Sequence, residues 1–223
     1  MAVVGAQSTA TGYVYHDKNG NEKRDQGEPG IANVMVSNQE QIVKTDSKGK
    51  WTLPAGDDTI FYVVKPRDWM TPLNHHNLPR FFYIHKPAGS PEGLRYAGVA
   101  PTGPLPDSID FPLFKSKEPN SFKAVMFADP QPRNIREVEY VTHDVVEELI
   151  GTDAAFGVTL GDIAFDKLET LEPQNAAIGL IGIPWYNVIG NHDLNLDAKS
   201  DEHSDETFER IYGPNYYSFD YGN

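Results

Sequence analysis

The chain contains no cysteine. Disulfides and zinc–thiolate sites are therefore excluded, although this absence does not fix a compartment. Long hydrophobic runs are missing too. No stretch of 18 apolar residues exists, so no transmembrane segment is expected. Positive charge is scarce: 19 Lys and Arg stand against 32 Asp and Glu, a net charge of −13. A surface of that sign repels phosphate backbones and argues against general nucleic-acid binding. Acidic residues are also the usual ligands of hard cations, so bound metal is a natural sink for part of the excess. The start, Met1-Ala2-Val3-Val4-Gly5, lacks the basic region and long apolar stretch of a signal peptide. No internal repeat or low-complexity segment stands out.

What is present suffices for a core. The 223 residues are 39% hydrophobic and 23% charged, enough for one large domain or two small ones. The chain has two grammars. From about residue 10 to 90, short apolar segments (Gly12–Tyr15, Val34–Val36, Gln41–Lys44, Lys50–Leu53 and Thr59–Val64) alternate with Gly, Pro, Asn and Asp clusters. This spacing predicts a small antiparallel β-sandwich. Arg80–His85 reads as a strand packed into that sandwich or its interface, and His75-His76 as loop. From about 86 to 119 the chain is rich in Pro and Gly, and an irregular connector with a strand near Ile109–Phe114 is expected. The domains are placed at 10–117 and 120–223.

After Phe122 strands and helices alternate. Strands are expected at Phe122–Ala128, Phe156–Leu160 and Trp185–Ile189, with a further one at Tyr216–Phe219. Helices are expected at Arg136–Ile150, within Lys167–Leu180 and at Asp205–Ile211. The first helix presents Val138, Val141, Val145 and Leu149 at helical spacing, with Gly151 as its stop. Such alternation predicts an α/β layer with a parallel sheet. The whole is thus α/β and all-β, in two domains.

Each of the three strands runs into a polar turn: Asp129-Pro130-Gln131, Gly161-Asp162 and Gly190-Asn191-His192-Asp193. Ligands of open α/β sheets bind beyond the carboxyl ends of the strands. Asp129 and Asp162 offer carboxylates, Asn191 and Gln131 amide oxygens, and His192 an imidazole that can ligate or act as an acid. Taken singly, an Asp after a strand is more often a turn former or helix cap than a catalytic group. The His of the third turn is not needed for the turn, and the three motifs in order favour a metal site with two divalent ions.

Residues 122–220 resemble the calcineurin-like metallophosphoesterase family, whose motifs are D-x-H, G-D and G-N-H-D/E. The resemblance implies phosphoester hydrolysis at a binuclear centre of Mn, Fe, Zn or Mg. It implies metal ligands at Asp129, Gln131, Asp162 and Asn191, with Asp162 bridging, and catalytic roles for His192 and Asp193. Gln131 replaces the usual first-motif His, which favours a harder metal. The family's later G-H-x-H motif does not follow Asp193. His203 lies in a polar run and reads as a solvated residue. The chain is therefore expected to hold the first half of a phosphoesterase domain, with little or no activity alone. Tyr216–Asp220 is expected to leave a sheet edge open to association.

Asp17, Asn19, Asn21, Asp25 and Glu28 fall at calcium-loop spacing, with Glu22 where such loops have Gly. The alternative is a hydrophilic turn. The wider N-terminal region, G-Y-V-Y-H-D-x-N-x-N through G-E-P-G-I-A-N-V-M-V-S-N and V-K-T-D-S-K-G-K-W-T-L-P, resembles Cna-B/SdrD-B-like prealbumin-type β-sandwiches. Its combination with the phosphoesterase motifs implies an exported bacterial protein, periplasmic or extracellular, with Met1 added to a mature chain. The rival expectation is a non-catalytic secreted or surface binding module with a vestigial phosphoesterase half.

Overall fold

A computed structural model describes residues 8–222. The segment Met1–Gly5 lies outside the described residues. The fold is mixed α/β, built on three sheets, with strands outnumbering helices.

The first sheet joins β4 (Lys50–Ala55), β1 (Ser8–His16), β8 (Phe111–Lys115) and β6 (Trp69–Met70), in that order. The second joins β3 (Ile42–Lys44), β2 (Met35–Ser37), β5 (Thr59–Val63) and β7 (Phe82–His85). Both bury side chains in one core. Val14, Trp51, Leu53, Phe111 and Leu113 come from the first sheet, and Val36, Phe61 and Val63 from the second. The period-two pattern of β4, with Trp51, Leu53 and Ala55 buried and Lys50 and Thr52 exposed, is what one covered face requires. One pairing departs from the antiparallel expectation. β1 and β8 run parallel, Val14 opposite Phe111, because the connection between them crosses the molecule instead of turning back as a hairpin.

The third sheet is fully parallel, ordered β11 (Trp185–Val188), β10 (Phe156–Leu160), β9 (Ala124–Phe127). On one face, Trp185 lies over Gly157 and its indole N–H donates to Thr159 Oγ1 at 2.9 Å. Only glycine fits at 157, since a Cβ would come 2.1 Å from the indole ring. Helices pack on this face.

The first helical segment runs as α1 (Ile135–Val141), a π-helical turn (Thr142–Val146) and α2 (Glu147–Leu149). Asn134 caps its start by accepting from the Glu137 N–H. Gly151 follows in the left-handed conformation with φ 82°. The expected face of Val138, Val141, Val145 and Leu149 is corrected at one position. The π-turn inserts a residue, so Val146 is buried while Val145 is 41% exposed. In α3 (Leu171–Gly179) Pro173 sits in the first turn, where its missing N–H costs no helical hydrogen bond. α4 (Glu206–Tyr212) ends at Gly213.

The opposite face of the parallel sheet is covered by the C-terminal tail. Tyr186 stacks on Phe219 at 4.1 Å, and Phe156 meets Phe219 and Tyr221 edge-on. Here the expected strand Tyr216–Phe219 is corrected: only a single bridge, Lys65 to Phe219, forms. With aromatics at 217, 219 and 221 pointing into the sheet face, the segment packs by side chains and supplies no sheet edge. Beyond the tail's reach, Met126, Leu160 and Val188 remain 53%, 55% and 37% exposed.

The connector expected at 86–119 is not a free linker. Lys86 Nζ contacts Glu206 at 2.5 Å and Asp58 at 2.8 Å, Ser90 Oγ donates to Glu206 at 2.6 Å, and the backbone at Ala97 accepts from Arg210 at 2.9 Å. Farther on, the buried Glu118 pairs with Lys65 at 2.6 Å.

Candidate metal centre

Because the third sheet is parallel, the three motifs emerge at one end of it. Asp129 follows β9 and Asp162 follows β10, each two residues past the last strand residue, and Asn191 follows β11. β10 is central, so Asp162 stands between the other two. Turning the chain so sharply forces unusual backbone. Asp129, Gln131, Asp162 and Asp166 have φ of 58°, 38°, 47° and 56°, a left-handed conformation that L side chains rarely adopt. Strain of this sort concentrates where function requires a fixed geometry.

The structure brings Gln131, Asp162 and His192 together. Gln131 Nε2 donates to Asp162 Oδ2 at 3.0 Å, and the Gln131 N–H donates to the Asp162 carbonyl at 3.1 Å. Asp162 Oδ1 accepts from the His192 N–H at 3.1 Å.

The imidazole is held from two sides. His192 Nδ1 lies 2.8 Å from Asp166 Oδ1, and Phe165 stacks on the ring at 4.3 Å. The Asp166 hydrogen bond holds the imidazole above its usual range, against the opposing effect of desolvation. With Nδ1 taken, Nε2 is the nitrogen left for a substrate. Asp166 was absent from the sequence-based site. Its one signal was a second carboxylate four residues past Asp162.

Of the two parts the sequence allows Asp193, orienting His192 or holding the turn, the structure shows the second. Asp193 is fully buried and accepts the N–H groups of Gly190, Ile163 and Ala164 at 2.9, 3.1 and 2.8 Å. It ties the second and third turns together and makes no contact with the His192 ring. Burial pushes its carboxyl up, and the three N–H donors work against that.

By chemistry the donor types at this sheet end, two carboxylates and two amide oxygens, suit a hard divalent ion, although Asp129, Asp162 and His192 do not bring their ligand atoms within 4.8 Å of one another. Gln131 and Asp162 would need to exchange their mutual hydrogen bond for ligation, which a turn of the Gln131 amide allows. A cleft of about 320 Å³ between Lys65, Tyr186 and Tyr221 opens at the other end of the sheet and includes none of these residues.

Among the described residues, one group of three His or carboxylate side chains has its ligand atoms within 4.8 Å of one another: Asp58, His203 and Glu206. Its centre is already served by a cation, the Lys86 ammonium. His203, expected to be solvated, is half-buried and contacts Glu206 at 3.0 Å. Glu209 lies in the same neighbourhood. Burial, reinforced by Asp205, pushes it up to about 8, with Asp58 and Glu206 adding and Lys86 opposing. A carboxyl raised in the folded state stabilises fully below its ordinary range and loses that contribution as pH rises to about 8. Stability should therefore fall between those limits by up to about 1.4 kcal/mol per pH unit from this group. Glu209→Gln should flatten the slope in urea melts taken from pH 5 to 9. An unchanged slope would show that Glu209 titrates normally.

In the N-terminal loop, Asp17 accepts from the N–H groups of Gly20 and Glu22 at 2.7 and 2.8 Å. Asn19 and Asn21 both donate to Asp25, and Glu28 accepts from the Lys18 and Asp25 N–H groups. Glu22 takes φ 59°, the conformation for which calcium loops use Gly. Asn19 and Asn21 come together on Asp25, but the Asp17, Asp25 and Glu28 carboxylates do not lie within 4.8 Å of one another, and a cation would have to displace both amides from Asp25.

Residues 17–97 match a family model described as the N terminal of calcineurin-like phosphoesterase, a little over a third of the chain. No curated protein matches by sequence. Among solved structures, a purple acid phosphatase from yellow lupin (Lupinus luteus) seeds aligns at 14% identity and a TM-score of 0.34. The alignment covers 84% of this chain and 36% of that one, and the likeness is too loose to transfer any part of a site.

Proposed function

We propose that the protein hydrolyses phosphoesters at a divalent-metal centre on the carboxyl ends of β9, β10 and β11. The observation that carries this reading is the placement of Asp129, Asp162 and Asn191 at one sheet end, beside an imidazole locked to a carboxylate. The family-model match over residues 17–97 points the same way. Asp129, Gln131, Asp162 and Asn191 would hold the ions. Bound ions would supply Lewis-acid activation of water and neutralise phosphate charge. His192 donates a proton from Nε2 to the departing oxygen, while Asp166 fixes Nδ1–H and stabilises the charged ring. Phe165 shields one face of the imidazole and keeps its plane fixed.

Metal binding comes before turnover as the first readout. Mn²⁺ titration by calorimetry should show binding that Asp162→Ala weakens by about 100-fold or more. Any p-nitrophenyl phosphate hydrolysis by the Mn²⁺-loaded chain should vanish in the same variant. Absence of Mn²⁺ binding, or binding indifferent to Asp162, would leave the non-catalytic surface module as the better reading.

A further inference from the structure

The segment 86–102 reaches the candidate centre from the N-terminal half of the chain. Its anchors, the buried Lys86 and the half-buried Ser90, both end on Glu206, a side chain with no exposure. Thr207 Oγ1 then donates to the carbonyls of Tyr96 and Ala97 at 3.2 and 3.1 Å, which fixes the height at which Tyr96 crosses.

Tyr96 touches both loops that carry the site. Its N–H donates to Asn195 Oδ1 at 3.3 Å, two residues past Asp193. Its hydroxyl lies 3.3 Å from the Asp166 carbonyl, and it shares its proton between that carbonyl and the Glu169 carboxylate. Asn195 is itself buried, and its amide donates to Thr207 Oγ1 at 2.7 Å, so the contact at that end is rigid. Asp166 has the left-handed backbone that most residues avoid, and its carboxylate is the group on His192 Nδ1. A hydrogen bond to that strained peptide is well placed to decide where the carboxylate points.

We propose that Tyr96 is a positioning residue of the candidate centre, holding Asp166 against His192 and tying the second and third motif loops to the N-terminal half of the chain. This rests on the assignment of His192 to the site, and it makes the segment 86–102 a working part of that site.

Two variants of the metal-free chain at one fixed pH separate the outcomes. Asp166→Asn removes the negative charge facing Nδ1 while leaving an amide oxygen there, and Tyr96→Phe removes only the hydroxyl shared by the Asp166 peptide and Glu169. The readout is the His192 ring resonances by NMR, with thermal melting alongside to exclude unfolding. Both variants should displace the His192 signals in the same direction, Tyr96→Phe by less, with Tyr96→Phe melting near the parent. With Mn²⁺, any phosphoester turnover by Tyr96→Phe should fall about tenfold in kcat with KM little changed. His192 signals unmoved by Tyr96→Phe but moved by Asp166→Asn would overturn the proposal. So would signals unmoved by either. If both variants move His192 yet the chain binds no Mn²⁺, the hydrolytic reading fails and the positioning role stands.

Discussion

Gly190→Ala should abolish Mn²⁺ binding and destabilise the fold by about 3 kcal/mol, the upper range for forcing a methyl into packed surroundings. A Cβ at this position would lie 2.1 Å from both the backbone nitrogen and Oδ1 of Asp162. Neither can withdraw cheaply. The backbone is fixed by two neighbouring left-handed residues, Gly161 and Asp162, and the carboxylate by the His192 N–H. Gly190 also donates its own N–H to the buried Asp193, so a displaced turn breaks the tie between the second and third motifs. The loss of binding should exceed what the loss of stability explains. Urea denaturation together with Mn²⁺ calorimetry would check both, and a variant that is destabilised yet binds Mn²⁺ normally would remove Asp162 from the ligand set.

Glu206→Ala should cost about 3–5 kcal/mol, the range for deleting one partner of a buried ion pair. The carboxylate accepts from Lys86 and Ser90 and contacts His203, all with a side chain that has no exposure. Its loss leaves the Lys86 ammonium buried with only Asp58, which is partly exposed. For a chain of this size the melting temperature should fall by about 10 °C. Glu206→Gln, which keeps the volume and one acceptor, should fall less. A loss below about 1 kcal/mol in Glu206→Ala would mean that Lys86 relaxes to solvent at little cost.

The legibility of the fold in the sequence differed by element. Strands such as β4 and β10 were readable because burial of one or both faces writes itself into residue choice. The turns bearing Asp129, Asp162 and Asn191 were readable because parallel strands deliver their ends to one side. The π-turn was not, since periodicity assumes a constant helical advance, and Val145 and Val146 are both apolar. Nor was the tail at 216–221, whose alternating aromatics mimic a strand but pack chiefly by ring contacts, with a single bridge to Lys65. The role of Asp166 depends on a contact across 26 positions, and that of Tyr96 on one across 70. No local pattern encodes either.

The tail has a consequence for the order in which the molecule assembles. Lys65 Nζ donates to the Asp220 carbonyl at 2.7 Å, a bond spanning 155 positions, while Gly222 donates to the Glu118 carboxylate that neutralises the same lysine. Until residues 217–222 dock, Phe156 and Tyr186 lack their nearest ring partners and the lysine's partners are incomplete. Closing so long a loop is slow. The final step of folding should therefore be the docking of residues 217–222, a late event that locks both halves of the chain at once.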